Sequence, residues 1–280
     1  SSFVRPHQPL DPPKAYFDMY KDKDLRSPAS GDWDCQNGNG LAGRISDSIY
    51  GCCDAAMRKD AMAGYYAAIT HVDHQLGRIL TALKEDGSYD NTIILFTSDH
   101  GEMLFDHSLW RKVFPYEGSI HIPFLLHIGK NIADIVPHTV NGITELRDVM
   151  PTLLDLCNLP IPETVDGSSL KRCILQEAEA VRSYLHGEHS FHDKLSNHYI
   201  VTEQDKFIWY SETGEEQYFD LRQDQQETHN AIQDVKYQTR NAQLRDIPIQ
   251  KLQDREEGYS DGTRLICRRP QDLLQNVHDY

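Results

Sequence analysis

Apolar residues recur with helical spacing over the middle of the chain. Between about residues 55 and 85 they return every three or four positions, which predicts a helix over 55–85 with one apolar face. Gly87 is typical of the residue that ends such a helix. The run 92–97 that follows is apolar on both faces, as expected of a buried parallel strand. With a second strand predicted at 122–128 and a helix at 146–156, this order of elements predicts an α/β domain.

Beyond about residue 180 the apolar runs become shorter. Turn-forming residues separate them, as in the stretch 213–215, which is Thr-Gly-Glu. The predicted strands are 182–186, 198–202, 206–210 and 217–220. We interpret them as a small antiparallel sheet, followed by a helix at about 239–253. The pattern therefore predicts a second structural unit after about residue 175.

The acidic composition limits the classes of partner. The formal net charge of −15 argues against nucleic-acid binding, because a phosphate backbone is bound mainly through Lys and Arg. A small anionic substrate is still compatible, since a local cluster of cations can hold it on an acidic protein. No apolar run approaches the roughly 20 residues that a bilayer span needs. The chain also opens without the features of a signal peptide.

The six cysteines form no C-x-x-C pair, so a zinc–thiolate site is not predicted. Cys157 falls in an apolar helical pattern and is predicted to be a buried thiol. The vicinal Cys52 and Cys53 fit either a redox pair or two neighbouring free thiols, and both interpretations stay open.

A polar stretch at 97–112 follows the first predicted strand and holds the strongest candidate chemistry. In open α/β sheets, ligands bind where strands end, because the loops there diverge and leave a crevice. Asp99 and His100 are placed to reach a bound cation, with Gly101 allowing a sharp turn, and Lys112 is near enough to meet an anion. An Asp-His-Gly tripeptide taken alone also fits a solvated acidic loop, since short motifs give many false positives.

The wider context resembles one enzyme family. In chain order, the matching segments are 3–10 with its P-H-x-P turn, 70–80, 97–112 with its S-D-H-G, 115–119, 122–124, 206–210 and 216–221. They are similar to the sulfatase family, whose pattern runs from a strand through S-D-[NH]-G and W/F-x-K to V/I-P-F/L. Because separate motifs agree in order over nearly the whole chain, the resemblance is far more specific than any one motif.

The resemblance implies a division of the chain into two parts. Residues 1–175 would form the C-terminal part of a catalytic domain, an α/β/α sandwich with a mixed, largely parallel sheet. Residues 176–280 would form a small antiparallel-sheet subdomain with a C-terminal helix and tail. The resemblance also implies a periplasmic, extracellular or lysosomal location.

Roles for four residues are implied by their match to the family motifs. Asp99 matches a carboxylate ligand of the family's Ca²⁺, which prefers hard oxygen donors. His100 matches a second ligand, which is Asn in many members. Lys112 matches the lysine that contacts the sulfate and the leaving-group oxygen. His7 matches the histidine that hydrogen-bonds the sulfate and supplies a proton to the departing alcohol.

Five further residues are candidates for binding the rest of the substrate, which the resemblance implies is a sulfate ester such as a sulfated sugar. Asp106, His107 and Arg111 lie between the predicted metal ligands and the lysine. Glu188 and His189 lie in a polar cluster that is predicted to shape the mouth of the site.

The family's nucleophile is absent from these 280 residues. It is a cysteine, oxidised to formylglycine, in C-x-P-S-R, and no cysteine or serine here has that context. We therefore expect an N-terminal part of the same enzyme to supply it, and the chain alone to be inactive. Two alternatives stay open: a phosphatase or phosphonate hydrolase of the same superfold, and a non-catalytic glycan-binding module.

Overall fold

A computed structural model describes residues 1–34, 54–190 and 196–269. Within these ranges the helices are α1 (Lys14–Phe17), α2 (Ala55–Glu85), α3 (Glu117–Ile120), α4 (Val149–Leu156), α5 (Lys171–Ile174) and α6 (Gln238–Lys251). The strands are β1 (Ile93–Thr97), β2 (Phe124–Ile128), β3 (Leu185–His189), β4 (Asn197–Val201), β5 (Asp205–Tyr210) and β6 (Glu216–Asp220). Short 3-10 turns lie at Tyr89–Asn91, Asp106–Ser108, Leu146–Asp148, Ala231–Gln233 and Val235–Tyr237.

The long helix α2 confirms the prediction from periodicity. Asp54 caps its start by accepting the backbone N–H of Met57 at 2.8 Å, and Gly87 follows its end with a φ of 78°. The deepest burial falls on small residues, since Ala63 and Ala67 are fully buried whereas Ile69 is 42% exposed. Small side chains thus let the helix lie close to the body of the protein.

Strands β1 and β2 pair antiparallel, from Ile93 opposite Ile128 to Thr97 opposite Phe124. The apolar pattern of β1 predicts a buried parallel strand, but its pairing within the described residues is antiparallel and its side chains are half-buried. The chain between them, residues 98–123, has no long crossover helix and turns back at the same edge. This return brings the loop after β1 and the start of β2 together.

The four C-terminal strands form one antiparallel sheet in the order β3-β4-β5-β6. The predicted first strand, 182–186, is displaced to Leu185–His189, while the other three agree within one residue at each end. Strands β5 and β6 are buried on both faces, whereas β3 is half-buried. One face packs against residues of the loop after β1: this core contains Met103, Leu109, Phe114, Tyr116, Ile208, Tyr210 and Phe219. The other face packs against α6 and includes Ile200, Phe207, Trp209, Tyr218, Leu244 and Leu252.

The cysteine predictions are only partly testable on the described residues. Cys157 is exposed, so its prediction as a buried thiol was wrong, because it sits at the C-cap where α4 ends and its turn leaves the apolar face. Cys52 and Cys53 lie outside the described residues. In the described ranges, every helix is too short or too polar to cross a lipid bilayer.

Candidate active site

The loop that follows β1 presents Asp99 and His100 to an open cleft. The Asp99 carboxylate, whose side chain is 84% exposed, accepts the backbone N–H of His100 at 3.0 Å. Its other oxygen lies 3.7 Å from His100 Nε2. His100 Nδ1 lies 2.8 Å from the carbonyl oxygen of Gly101, so in the neutral ring Nδ1 donates and Nε2 keeps its lone pair. One carboxylate oxygen and one imidazole nitrogen are therefore available side by side.

Gly101 allows this loop to pack directly against α3. Its N–H donates to the carbonyl of Ser119 at 2.7 Å. A Cβ at this position would lie 2.2 Å from the carbonyl oxygen of Gly118, far inside van der Waals contact with backbone. The orientation of Asp99 and His100 thus depends on the absence of a side chain at position 101.

His7 and Lys112 are far apart in sequence but are in contact in the structure. Lys112 Nζ lies 2.9 Å from His7 Nε2, and the imidazole nitrogen accepts because an ammonium group only donates. His7 Nδ1 lies 2.9 Å from the carbonyl oxygen of Gln8, to which it donates. The His7 ring centroid is 6.2 Å from that of His100. The structure thus brings together all four residues matched to the family's metal and sulfate contacts.

Glu102 ties the two loops that carry His7 and Lys112. Its Oε2 accepts from Gln8 Nε2 at 2.9 Å, and its Oε1 accepts from the backbone N–H of Arg111. Sequence reasoning missed both Gln8 and Glu102, although each directly follows a motif residue, which was a usable signal. The side chain of Arg111 is exposed and does not line the cleft, so its predicted substrate contact stays a prediction.

The loop before and after Lys112 bends through several left-handed residues. Those with positive φ are Leu104, Phe105, His107, Ser108, Arg111 and Val113. Such conformations cost on the order of 1–3 kcal/mol each for residues other than glycine. Burial of Met103, Leu109 and Phe114 in the core beneath the C-terminal sheet offsets this cost. Tertiary packing therefore sets the path of the backbone that presents Lys112.

Asp106 and His107 make structural contacts. The Asp106 carboxylate accepts hydrogen bonds from the two terminal guanidinium nitrogens of Arg26, at 2.7 and 2.9 Å. It also accepts one from the backbone N–H of Ala29 at 2.7 Å. His107 is 4% exposed and its ring lies 4.5 Å from that of Trp33. Burial lowers its pKa, against the attraction of nearby carboxylates. Neither residue lines the cleft, so these contacts do not favour the substrate-binding roles predicted for them.

Glu188 and His189, by contrast, line the same cleft as Asp99 and Lys112. The cleft has a volume of about 1860 Å³. Hydrogen bonds from His198 and Arg255 lower the pKa of Glu188 to about 2, against the effect of burial. Burial lowers the pKa of His189. Among the described residues, the cleft is lined by four cationic side chains besides Lys112: Arg147, Arg182, Lys251 and Arg255.

Behind the site, a fully buried lysine joins the C-terminal sheet to α3. Lys206 Nζ lies 2.7 Å from Glu117 Oε1 and 2.6 Å from Glu227 Oε1. Burial raises the pKa of Glu227, aided by the negative charge of Glu117. Burial also opposes ionisation of Glu117, but the attraction of Lys206 and the hydrogen bond with His121 together outweigh it and lower that pKa to about 2. Sequence reasoning did not find this triad, because a lysine at a strand end is usually solvated.

The family model described as Sulfatase matches residues 1–159 of the chain. The chain belongs to the sulfatase family. A second model, the C-terminal region of N-sulphoglucosamine sulphohydrolase, matches residues 105–255.

Curated sulfatases are similar over most of the chain. An arylsulfatase of Clostridium perfringens is 49% identical over 277 residues, covering 99% of this chain and 57% of the arylsulfatase. An N-acetylglucosamine-6-O-sulfatase of Bacteroides thetaiotaomicron is 29% identical over 208 residues, covering 71% of this chain and 36% of that enzyme. The chain thus spans little more than half the length of the first of these relatives.

Solved structures agree with the sulfatase assignment at the level of the fold. A phosphonate monoester hydrolase of Silicibacter pomeroyi superposes with a TM-score of 0.73 at 26% identity, covering 96% of this chain and 59% of its own. A protein solved in complex with its substrate D-glucosamine-2-N,6-O-disulfate superposes with a TM-score of 0.70 at 19% identity, covering 89% of this chain and 63% of its own. The α/β fold class predicted from the sequence is therefore confirmed.

Sulfatases generally use a bound metal ion. In this chain the donor atoms at the strand end are the exposed Asp99 carboxylate and His100 Nε2, 3.7 Å apart. A carboxylate suits any hard cation and an imidazole suits borderline ones. Two side-chain donors fill only part of a coordination sphere, so this pair fits one side of a cation site.

Proposed function

We propose that this chain forms the metal-binding and leaving-group side of the active site of a sulfuric ester hydrolase. The observation that carries the proposal is the convergence of Lys112 and His7, in contact at 2.9 Å, beside Asp99 and His100 at the end of β1. A sulfate ester needs a cationic cradle for its oxygens and a proton for the departing alcohol, and this cluster contains candidates for both.

Lys112 would bind the sulfate and the leaving-group oxygen. Its ammonium group is a compact charge with three donors, so it can turn from His7 Nε2 to a substrate oxygen without moving its backbone. Its neighbours favour this role, because Glu102 and the buried loop core hold the backbone in place.

His7 would hydrogen-bond the sulfate and serve as the general acid. Its Nδ1 donates to the carbonyl of Gln8, so Nε2 is the atom that faces Lys112 and would exchange the proton. Expelling an alkoxide near neutral pH is costly, and a positioned acid typically contributes 10²–10⁴-fold.

Calcium is the ion that we propose for Asp99 and His100. Ca²⁺ takes six to eight oxygen ligands, so the exposed Asp99 carboxylate suits it and most of the remaining ligands would come from outside this chain. When bound, the ion would neutralise sulfate charge. The nucleophile, a formylglycine, would likewise be supplied by an N-terminal part of the enzyme, and the chain alone would not turn over substrate.

The proposed substrate is a sulfated sugar. One relative is an N-acetylglucosamine-6-O-sulfatase, and one structural neighbour holds D-glucosamine-2-N,6-O-disulfate. The cleft of about 1860 Å³ is large enough for more than the sulfate group, and its wall carries both acids and cations suited to sugar hydroxyls and further anionic groups. Glu188 and His189 are the candidate contacts.

The test is hydrolysis of an aryl sulfate by the chain assembled with the N-terminal part of the enzyme, with Ca²⁺ and with a chelator. Lys112→Ala should lower kcat by about 10²–10³-fold, the usual loss of one donor to developing negative charge. Lys130→Ala is the matched control, because Lys130 is 71% exposed and pairs with Asp90 at the far end of β2.

A phosphonate monoester should be assayed in parallel, because a phosphonate monoester hydrolase shares the fold at 26% identity. Faster turnover of the phosphonate than of the aryl and sugar sulfates would replace the sulfatase proposal with that alternative. Binding of sulfated sugar without turnover of any ester would favour a glycan-binding module.

A further inference from the structure

A second group of metal-type ligands lies on the C-terminal sheet, and two of its three members line the same cleft as Asp99. Side chains at alternate positions of a strand share a face, so His186 and Glu188 on β3 point the same way. The register sets Glu188 directly opposite His198 on β4, which adds a third side chain to this face. His186 and Glu188 line the cleft, while His198 is 5% exposed.

The distances between the donor atoms match a single small cation. His186 Nε2 lies 3.3 Å from His198 Nδ1, and His198 Nδ1 lies 3.3 Å from Glu188 Oε2. The three donor atoms all lie within 4.8 Å of one another. Zinc–ligand bonds of about 2.0–2.1 Å place two ligands of a tetrahedral ion about 3.3–3.4 Å apart. Two edges of the triangle thus already have the length that zinc requires.

The neighbours of these side chains hold them in place. The His198 ring packs against the rings of Trp209 and Tyr259, with centroid distances of 5.7 and 5.2 Å. Arg255 donates to Glu188 Oε2 at 2.5 Å and Oε1 at 3.2 Å. A carboxylate has about four lone-pair sites, so it can bind a metal and accept from Arg255 together. Carboxylates that ligate metals are themselves commonly hydrogen-bonded in this way.

We propose that His186 Nε2, His198 Nδ1 and Glu188 Oε2 form a binding site for a divalent transition-metal ion of the zinc class. Two imidazoles and one carboxylate prefer such an ion to calcium, whereas the Asp99 carboxylate suits a hard cation. Three protein ligands leave a fourth position open, and two of the three side chains, His186 and Glu188, line the cleft. A hydroxyl or carboxylate of a bound ligand fits that position. The site is independent of the proposed sulfatase activity.

Titration of Zn²⁺ and Co²⁺ into the full chain tests the proposal. Excess Ca²⁺ is included to fill oxygen-rich sites. Calorimetry should give one saturable Zn²⁺ per chain, and bound Co²⁺ should develop the visible absorption of a four-coordinate ion. X-ray absorption of the zinc form should show two imidazoles and light-atom ligands at about 2.0–2.1 Å.

Three variants and two controls separate this site from any other. His186→Gln and Glu188→Gln should each weaken Zn²⁺ binding at least tenfold, as should His198→Gln. The exposed His138→Gln should bind Zn²⁺ like the unmodified chain. Because His198 is buried, the other two variants decide the outcome if His198→Gln does not fold. Absence of saturable Zn²⁺ binding, equal affinity in all variants, or loss only in Asp99→Asn would overturn the proposal.

Discussion

The buried lysine behind the site offers the sharpest test of how the C-terminal sheet is joined to the catalytic loop. Lys206 is 0% exposed, and its two carboxylate partners, Glu117 and Glu227, have side chains that are 25% and 2% exposed. The perturbation is Lys206→Met, which keeps an unbranched side chain only one atom shorter and removes the charge. The backbone N–H of Glu117 still donates to Glu227 Oε2 at 2.8 Å, so the carboxylates would stay close together.

The expected loss of unfolding free energy follows from the carboxylate charge that Lys206→Met leaves unpaired. Removing one partner of a buried ion pair costs about 3–5 kcal/mol of unfolding free energy, because the other charge stays desolvated. Glu117 is partly hydrated, which places the expected loss near the lower limit, about 3 kcal/mol. The triple variant Lys206→Met, Glu117→Gln, Glu227→Gln removes all three charges of the triad and should recover most of the loss of unfolding free energy.

The loss of unfolding free energy in Lys206→Met should also depend on pH. Without Lys206, burial and repulsion from Glu117 would raise the pKa of Glu227 in the folded state further above the unfolded value of about 4.5, whereas Glu117 would keep its hydrogen bond with His121. Glu227 in the folded state then binds more protons than in the unfolded state, so the deficit shrinks as pH falls through this raised pKa. In the unmodified protein Glu117 acts in the opposite direction, since its pKa of about 2 means stability lost as pH falls from 4.5.

Urea unfolding at pH 7.5 and pH 5 measures both effects, with Lys130→Met as the surface control. The exposed pair of Lys130 and Asp90 should contribute only about 0–1 kcal/mol. A loss below about 1 kcal/mol for Lys206→Met, or a triple variant as unstable as the single one, would refute the reasoning.

Three further changes test the loop that follows β1. Gly101→Ala should lower both the unfolding midpoint and metal affinity, because the new Cβ would lie 2.2 Å from the Gly118 carbonyl oxygen. Gly77→Ala is the control, because position 77 lies inside α2 with open space around its Cβ and without a positive φ. Glu102→Ala should lower kcat of the assembled enzyme about tenfold or more, since misplacing catalytic groups by about 1 Å can cost 10²-fold; an unchanged kcat would exclude a positioning role. For His107, whose pKa is lowered by burial, the unfolded state binds more protons below about pH 6.5, so stability should fall as pH drops from there. His107→Gln should flatten that part of the urea-midpoint profile, and an identical slope would contradict the assignment.

Local sequence was sufficient for the features that depend on short-range pattern. The spacing of apolar residues predicted α2 within a residue at each end, and the order of strands and helices predicted the fold class. The S-D-H-G stretch placed Asp99 and His100 at a strand end, where the structure has them. Motif order also predicted that His7 and Lys112 belong to one site, and in the structure His7 Nε2 lies 2.9 Å from Lys112 Nζ.

Tertiary structure decided what depends on residues distant in the chain. The apolar pattern of residues 92–97 fits a parallel or an antiparallel partner equally well. The pairing is decided by the path of the chain, which turns back after β1 and runs antiparallel to it as β2. His107 has the polarity of a substrate contact, yet packing under Trp33 buries it. Lys206 is buried because carboxylates 89 residues before it and 21 after it close around its ammonium group. Burial and charge compensation are sums over neighbours brought together by the fold, so no local pattern contains them.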